Sequence, residues 1–118
     1  MNPTTVARRL AIFAVMVTIA ISFGPVSVLA QDASAIYAQK CVSCHGPQGK
    51  GDGPAGKYLN PKPNDFAVSL KDKTDDWIAK SIKGGGAAVG LSPVMPPYAD
   101  LSDDQVKALV DYIKKLGS

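Results

Sequence analysis

Val106, Leu109, Val110, Ile113 and Leu116 recur at the three- and four-residue spacing that lines one side of a helix, with charged residues between them. The segment carries its own punctuation. Ser102 and Gln105 stand at capping-box spacing, Leu101 and Val106 can close over the first turn as a hydrophobic staple, and Lys114, Lys115 and Gly117 suit its end. A second helix is expected after Thr74, whose hydroxyl can cap free amides. Asp75 and Asp76 then favour the first turn, Trp77, Ile78 and Ile82 form the apolar side, and Gly84 ends it. Residues 33–44 predict another helix, N-capped by Asp32, with Ile36, Tyr37, Lys40, Cys41 and Cys44 on one side. Between these elements, residues 46–69 interleave five glycines with four prolines and read as loop. The tract Gly84-Gly85-Gly86-Ala87-Ala88-Val89-Gly90 has little capacity for regular structure, and Pro93, Pro96 and Pro97 stiffen the segment after it. No run alternates as a strand would, so the expected fold is all-α: three main helices and long loops. Loops of that length in a small domain need something to wrap around.

The N-terminal region is of a different kind. Arg8 and Arg9 precede an uncharged apolar run over residues 10–23, then Gly24-Pro25 and the small-residue ending Val28-Leu29-Ala30. This is the order of a secretory signal cleaved after Ala30, so residues 1–30 are expected to be a signal peptide and residues 31–118 the mature domain. Two other readings stand beside it: an uncleaved anchor, since residues 10–30 approach the ~20 apolar residues that span a bilayer, and a twin-arginine export signal. Cleavage leaves 88 of the 118 residues, one small domain whose own core is marginal. The net charge of +3 includes both leader arginines, so the mature polypeptide is near +1. No clustered basic face of the kind that nucleic acid requires is evident.

Candidate chemistry is concentrated in Cys41-Val42-Ser43-Cys44-His45, the spacing that attaches a c-type haem: two thiols for thioethers and an imidazole for the iron. Zinc would want four ligands and a second Cys or His pair, which the sequence lacks; a redox dithiol would want a βαβ context. His45 is the one histidine, and with Met1 and Met16 in the leader, Met95 is the one methionine of the mature chain. A thioether opposite an imidazole stabilises reduced iron, and Met95 lies in the stiff segment Ser92-Pro93-Val94-Met95-Pro96-Pro97-Tyr98. The expected ligand set is therefore His45 and Met95, with Cys41 and Cys44 as covalent anchors of one haem c. The Pro54 carbonyl is nominated to accept the other ring N–H of His45. Tyr37, Trp77 and Tyr112 are expected as core; Tyr58, Asn64, Ser92 and Tyr98 are either loop residues or hydrogen-bond donors to a haem propionate or the methionine sulfur.

The order of parts, Cys-x-x-Cys-His early, a glycine-rich loop with Gly53-Pro54, Met95-Pro96 late, and a closing amphipathic helix, resembles the class I c-type cytochromes. It is most similar to their small soluble bacterial members, over essentially the whole mature chain. The resemblance implies a cytochrome c fold around one haem, first and last helices crossing through Tyr37 and Tyr112, and a Gly-Pro carbonyl bonded to the ligand histidine, which falls on Pro54. It implies a one-electron carrier between redox proteins, not an enzyme; the leader adds export to the periplasm, and the small polar surface expected gives no reason to propose more than a monomer. Lysines 40, 50, 57, 62, 71, 73, 80 and 83 are either solvated surface or a ring around a haem edge that steers an acidic partner. The alternatives are a haem enzyme or CO/NO sensor with a labile Met95, and a donor anchored to a membrane complex by an intact leader.

Overall fold

The computed structural model describes residues 28–118; the leader reading lies almost wholly outside them. Five α-helices follow one another: α1 (Val28–Lys40), α2 (Val42–His45), α3 (Phe66–Ser69), α4 (Asp75–Gly84) and α5 (Asp103–Leu116), with 3₁₀ turns at Gly56–Tyr58 and Gly86–Val89. No strand occurs among the described residues. This is the all-α architecture expected, with α1, α4 and α5 as the main helices.

The two best-punctuated helices begin where their caps direct. At α5 the Ser102 hydroxyl accepts from the Gln105 amide at 3.2 Å while the Gln105 side chain accepts from the Ser102 amide at 2.9 Å, so two otherwise orphaned donors are satisfied. At α4 the Thr74 hydroxyl accepts from the Trp77 amide at 3.2 Å. Ion pairs Lys83–Asp103 and Lys114–Asp75, each at 2.6 Å, join opposite ends of α4 and α5 and hold them antiparallel.

Helix α1 packs chiefly on α5. Their crossing is made by Tyr37 and Tyr112, with ring centroids 5.3 Å apart and planes inclined by 53°. Around it Phe66, Ile78, Ile82, Leu101, Val106, Leu109, Val110 and Ile113 complete a buried core. Leu109 is fully enclosed, and Trp77 packs against the cluster half-buried with the Lys73 ammonium 4.7 Å from its ring centroid.

Three expectations are corrected. The helix over residues 33–44 is two helices. Asp32 lies inside α1 and not at its N-cap, because Leu29, Ala30 and Gln31 before it favour helix. At Cys41 the backbone unwinds to φ −116° before α2 begins. The Tyr37 hydroxyl donates to the Gly46 carbonyl at 2.8 Å, folding the end of α2 back on α1. Residues 46–69 are also more ordered than their composition suggests. The Asp65 carboxylate accepts from the Ala67 amide at 2.9 Å and starts α3. Finally, the glycine tract after α4 forms a 3₁₀ turn over Gly86–Val89, closed by Gly90 in the left-handed region.

Candidate haem-binding site

Cys41 stands at the junction of α1 and α2, and Cys44 and His45 end α2. The Cys41 carbonyl accepts from both the Cys44 amide (3.2 Å) and the His45 amide (2.9 Å), so one tight turn brings the three side chains together. The following loop is laced onto this turn: Gly51 donates to the His45 carbonyl (2.8 Å), Gly53 to that of Cys44 (3.2 Å) and Ala55 to that of Ser43 (2.9 Å). A Cβ on Gly53 would come within 2.5 Å of the Val42 carbonyl oxygen and collide with that of Ser43. Only glycine allows that approach.

Both cysteines are half-buried. Burial raises the Cys41 thiol to about 11, with Lys40 opposing and Cys44 adding to the shift. Among the described residues no group of three or more His, Cys, Asp or Glu side chains converges as a metal site.

The His45 imidazole is held below its ordinary pKa by burial and is neutral at neutral pH, the form that ligates metal. Its Nδ1 is buried without a hydrogen-bond partner. The bond nominated from the Pro54 carbonyl is therefore not among the contacts of this structure, and Pro54 itself is exposed. A buried polar atom left unpaired is costly in a finished protein. Here it belongs to an imidazole that directly follows two half-buried thiols, a donor set suited to a thioether-anchored haem.

One residue of this site went unpredicted. Phe66 lies against His45, ring centroids 4.9 Å apart and planes inclined by 30°, and meets Tyr37 edge-on at 6.5 Å. Its amide donates to the Gly49 carbonyl at 2.8 Å. The available signal was that Phe66 is the one phenylalanine beyond the leader, preceded by the capping residue Asp65.

Met95 is half-buried, and its loop is docked on the end of α4. Gly86 donates to the Met95 carbonyl (3.1 Å), and the Tyr98 amide donates to the Ile82 carbonyl (2.9 Å). Gly85, at φ +76°, brings its Cα so near the loop that a Cβ would stand 2.8 Å from the Met95 carbonyl oxygen. The glycine tract thus provides a seat for the Met95 segment. Among the residues considered as donors, Tyr98 gives its hydroxyl to the Lys40 carbonyl at 2.9 Å, the Ser92 hydroxyl accepts from the Val94 amide at 3.3 Å, and Tyr58 is largely exposed. Of the lysines, Lys40 and Lys83 are paired with Asp100 and Asp103.

A family model described as Cytochrome c matches residues 30–117. Together with the helical fold and the Cys-x-x-Cys-His turn, this match makes the chain a member of the class I c-type cytochromes, and its cofactor a covalently bound haem c with its iron. Among known proteins it is similar to cytochrome c-552 of Nitrosomonas europaea, 37% identical over 87 residues that cover 72% of this chain and 78% of that protein. The coarse function follows from membership: a monohaem c-type cytochrome, an electron-transfer protein that works with redox partner proteins.

Proposed function

We propose that this protein is exported and shuttles single electrons, with Cys41 and Cys44 forming the two thioethers and His45 and Met95 ligating the iron. The observation that carries the reading is the half-buried His45 imidazole, its Nδ1 sheltered from solvent, on the same turn as both cysteines. When bound, haem c supplies a one-electron couple at its iron.

The residues around it serve to keep that couple fast and closed. Phe66 and the laced loop hold the imidazole in one orientation. The soft Met95 thioether favours the reduced state, and its proline-stiffened loop, seated on Gly85 and Gly86, limits rearrangement between oxidation states. The chain offers no second histidine and no mature arginine to assist cleavage of an O–O bond, which favours a carrier over a peroxidase. Residues 1–30 serve as the cleaved export signal, in keeping with covalent haem attachment outside the cytoplasm and with a family match that begins at residue 30. Among the described residues no helix is long and apolar enough to cross a membrane.

The test is the visible spectrum of the matured protein, oxidised, reduced, and reduced with carbon monoxide. A low-spin c-type spectrum with the far-red sulfur-to-iron band, unchanged by carbon monoxide, is expected. A high-spin spectrum that shifts with carbon monoxide would replace the carrier by a gas-binding or peroxidase-like protein. Mass spectrometry of the exported form is expected to give an N-terminus at Gln31; an intact leader would make it an anchored donor.

A further inference from the structure

The loop that carries Met95 is fastened on two sides. Toward α4 the bonds are backbone ones: Gly86 to the Met95 carbonyl and Tyr98 to the Ile82 carbonyl. Toward the cysteine turn, the Tyr98 hydroxyl donates to the Lys40 carbonyl at 2.9 Å, a partly buried bond. Lys40 is the last residue of α1 and immediately precedes Cys41. Its carbonyl is one of the terminal acceptors that a helix cannot satisfy from within, so an external donor here completes the helix end. The Lys40 ammonium reinforces the contact from outside, 5.5 Å from the Tyr98 ring centroid and 3.5 Å from Asp100. Both are surface interactions and weak beside the sheltered hydroxyl bond.

We propose that Tyr98 is the positioning residue that latches the Met95 loop to the haem-attachment turn, and so sets how readily an external ligand displaces Met95 from the iron. This rests on the His45/Met95 reading. Displacing Met95 requires the loop to swing away, and the loop cannot leave the turn while the Tyr98 hydroxyl is bonded to the Lys40 carbonyl. Removing the hydroxyl raises the population of the open loop, and the apparent affinity for an incoming ligand rises in proportion to that population. Tyr98 touches neither reacting atom in this scheme; it acts through Met95.

The experiment compares the ferric wild-type holoprotein with Tyr98→Phe, titrating each with imidazole and following loss of the far-red band. Ile113→Val, a core change in α5, serves as the control for a merely destabilised protein. Tyr98→Phe is expected to bind imidazole about five-fold more tightly, the scale of one lost hydrogen bond. Amide exchange at Gly86 and Tyr98 is expected to quicken by a similar factor, and Ile113→Val to leave both readouts at wild-type values. Equal imidazole affinity in wild type and Tyr98→Phe, or equal tightening in both variants, overturns the latch. Absence of the far-red band from the wild type overturns the ligation reading instead, and the latch with it.

Discussion

Replacing Gly85 with alanine should dislodge the Met95 loop from its seat on α4. Gly85 has φ +76° and ψ 176°, and a side chain forced into that glycine-only region costs about 1–3 kcal/mol. The new Cβ would stand 2.8 Å from the Met95 carbonyl oxygen and 2.9 Å from the Pro97 nitrogen. Neither neighbour is the free end of a flexible side chain, so the loop backbone must move, adding an overpacking cost of about 1–3 kcal/mol. Together these predict a loss of roughly 4 kcal/mol. Gly90 offers a comparison at positive φ without a clash. It lies at φ +75° with nothing within 4 Å of its would-be Cβ, so Gly90→Ala bears only the left-handed cost of about 1–2 kcal/mol. Urea denaturation of the three holoproteins, followed by far-ultraviolet circular dichroism, measures both losses as midpoint shifts at constant slope. Gly85→Ala should exceed Gly90→Ala by about 2 kcal/mol, and under the proposed ligation it alone should weaken the far-red band. Equal losses in the two variants would refute the claim that Gly85 seats the loop.

Three further outcomes are expected. Phe66→Ala should destabilise the protein by about 3–5 kcal/mol in the same assay, and should broaden the His45 ring signals in NMR spectra of the holoprotein; sharp, unmoved signals would show that Phe66 does not orient the imidazole. The Lys83 hydrogen bond, and then its charge, hold the exposed Asp103 carboxyl below the usual carboxylate value, so the pair stabilises the fold above that value and its contribution is lost as pH falls through the lowered one. An NMR titration should find the Asp103 midpoint rising to the ordinary range in Lys83→Met, and identical midpoints would refute the pairing. Ser102→Ala should cost about 1 kcal/mol by removing the α5 cap, seen as a lower urea midpoint.

How much of the site could be read from the chain depends on how local its causes are. The ends of α4 and α5 lie where Thr74, Ser102 and Gln105 indicate, because a cap acts over three or four residues and competes with little else. The Tyr37–Tyr112 crossing also matches expectation, though through family resemblance, since no local rule pairs residues so far apart. Phe66 escaped notice because α3 is one turn long, too short for a periodic signal, and its partner His45 lies across a glycine- and proline-rich loop. The break at Cys41 was equally illegible. Its neighbours suit a continuous helix, and the contact that accompanies the turn, Tyr37 to the Gly46 carbonyl, spans nine residues.

The haem-attachment motif and the helix starts are written in the chain itself: two thiols and an imidazole at one fixed spacing, and helices that begin at their caps, all properties of residues within a few positions of one another. The seat and the latch of the Met95 loop come instead from tertiary packing. A run of glycines says only that the backbone is free, and a tyrosine only that it has a hydroxyl to give. That Gly85 and Gly86 lie under Met95, and that Tyr98 reaches Lys40 just ahead of Cys41, depends on how α1, α4 and α5 pack around one core, a long-range arrangement that no short stretch of the chain contains.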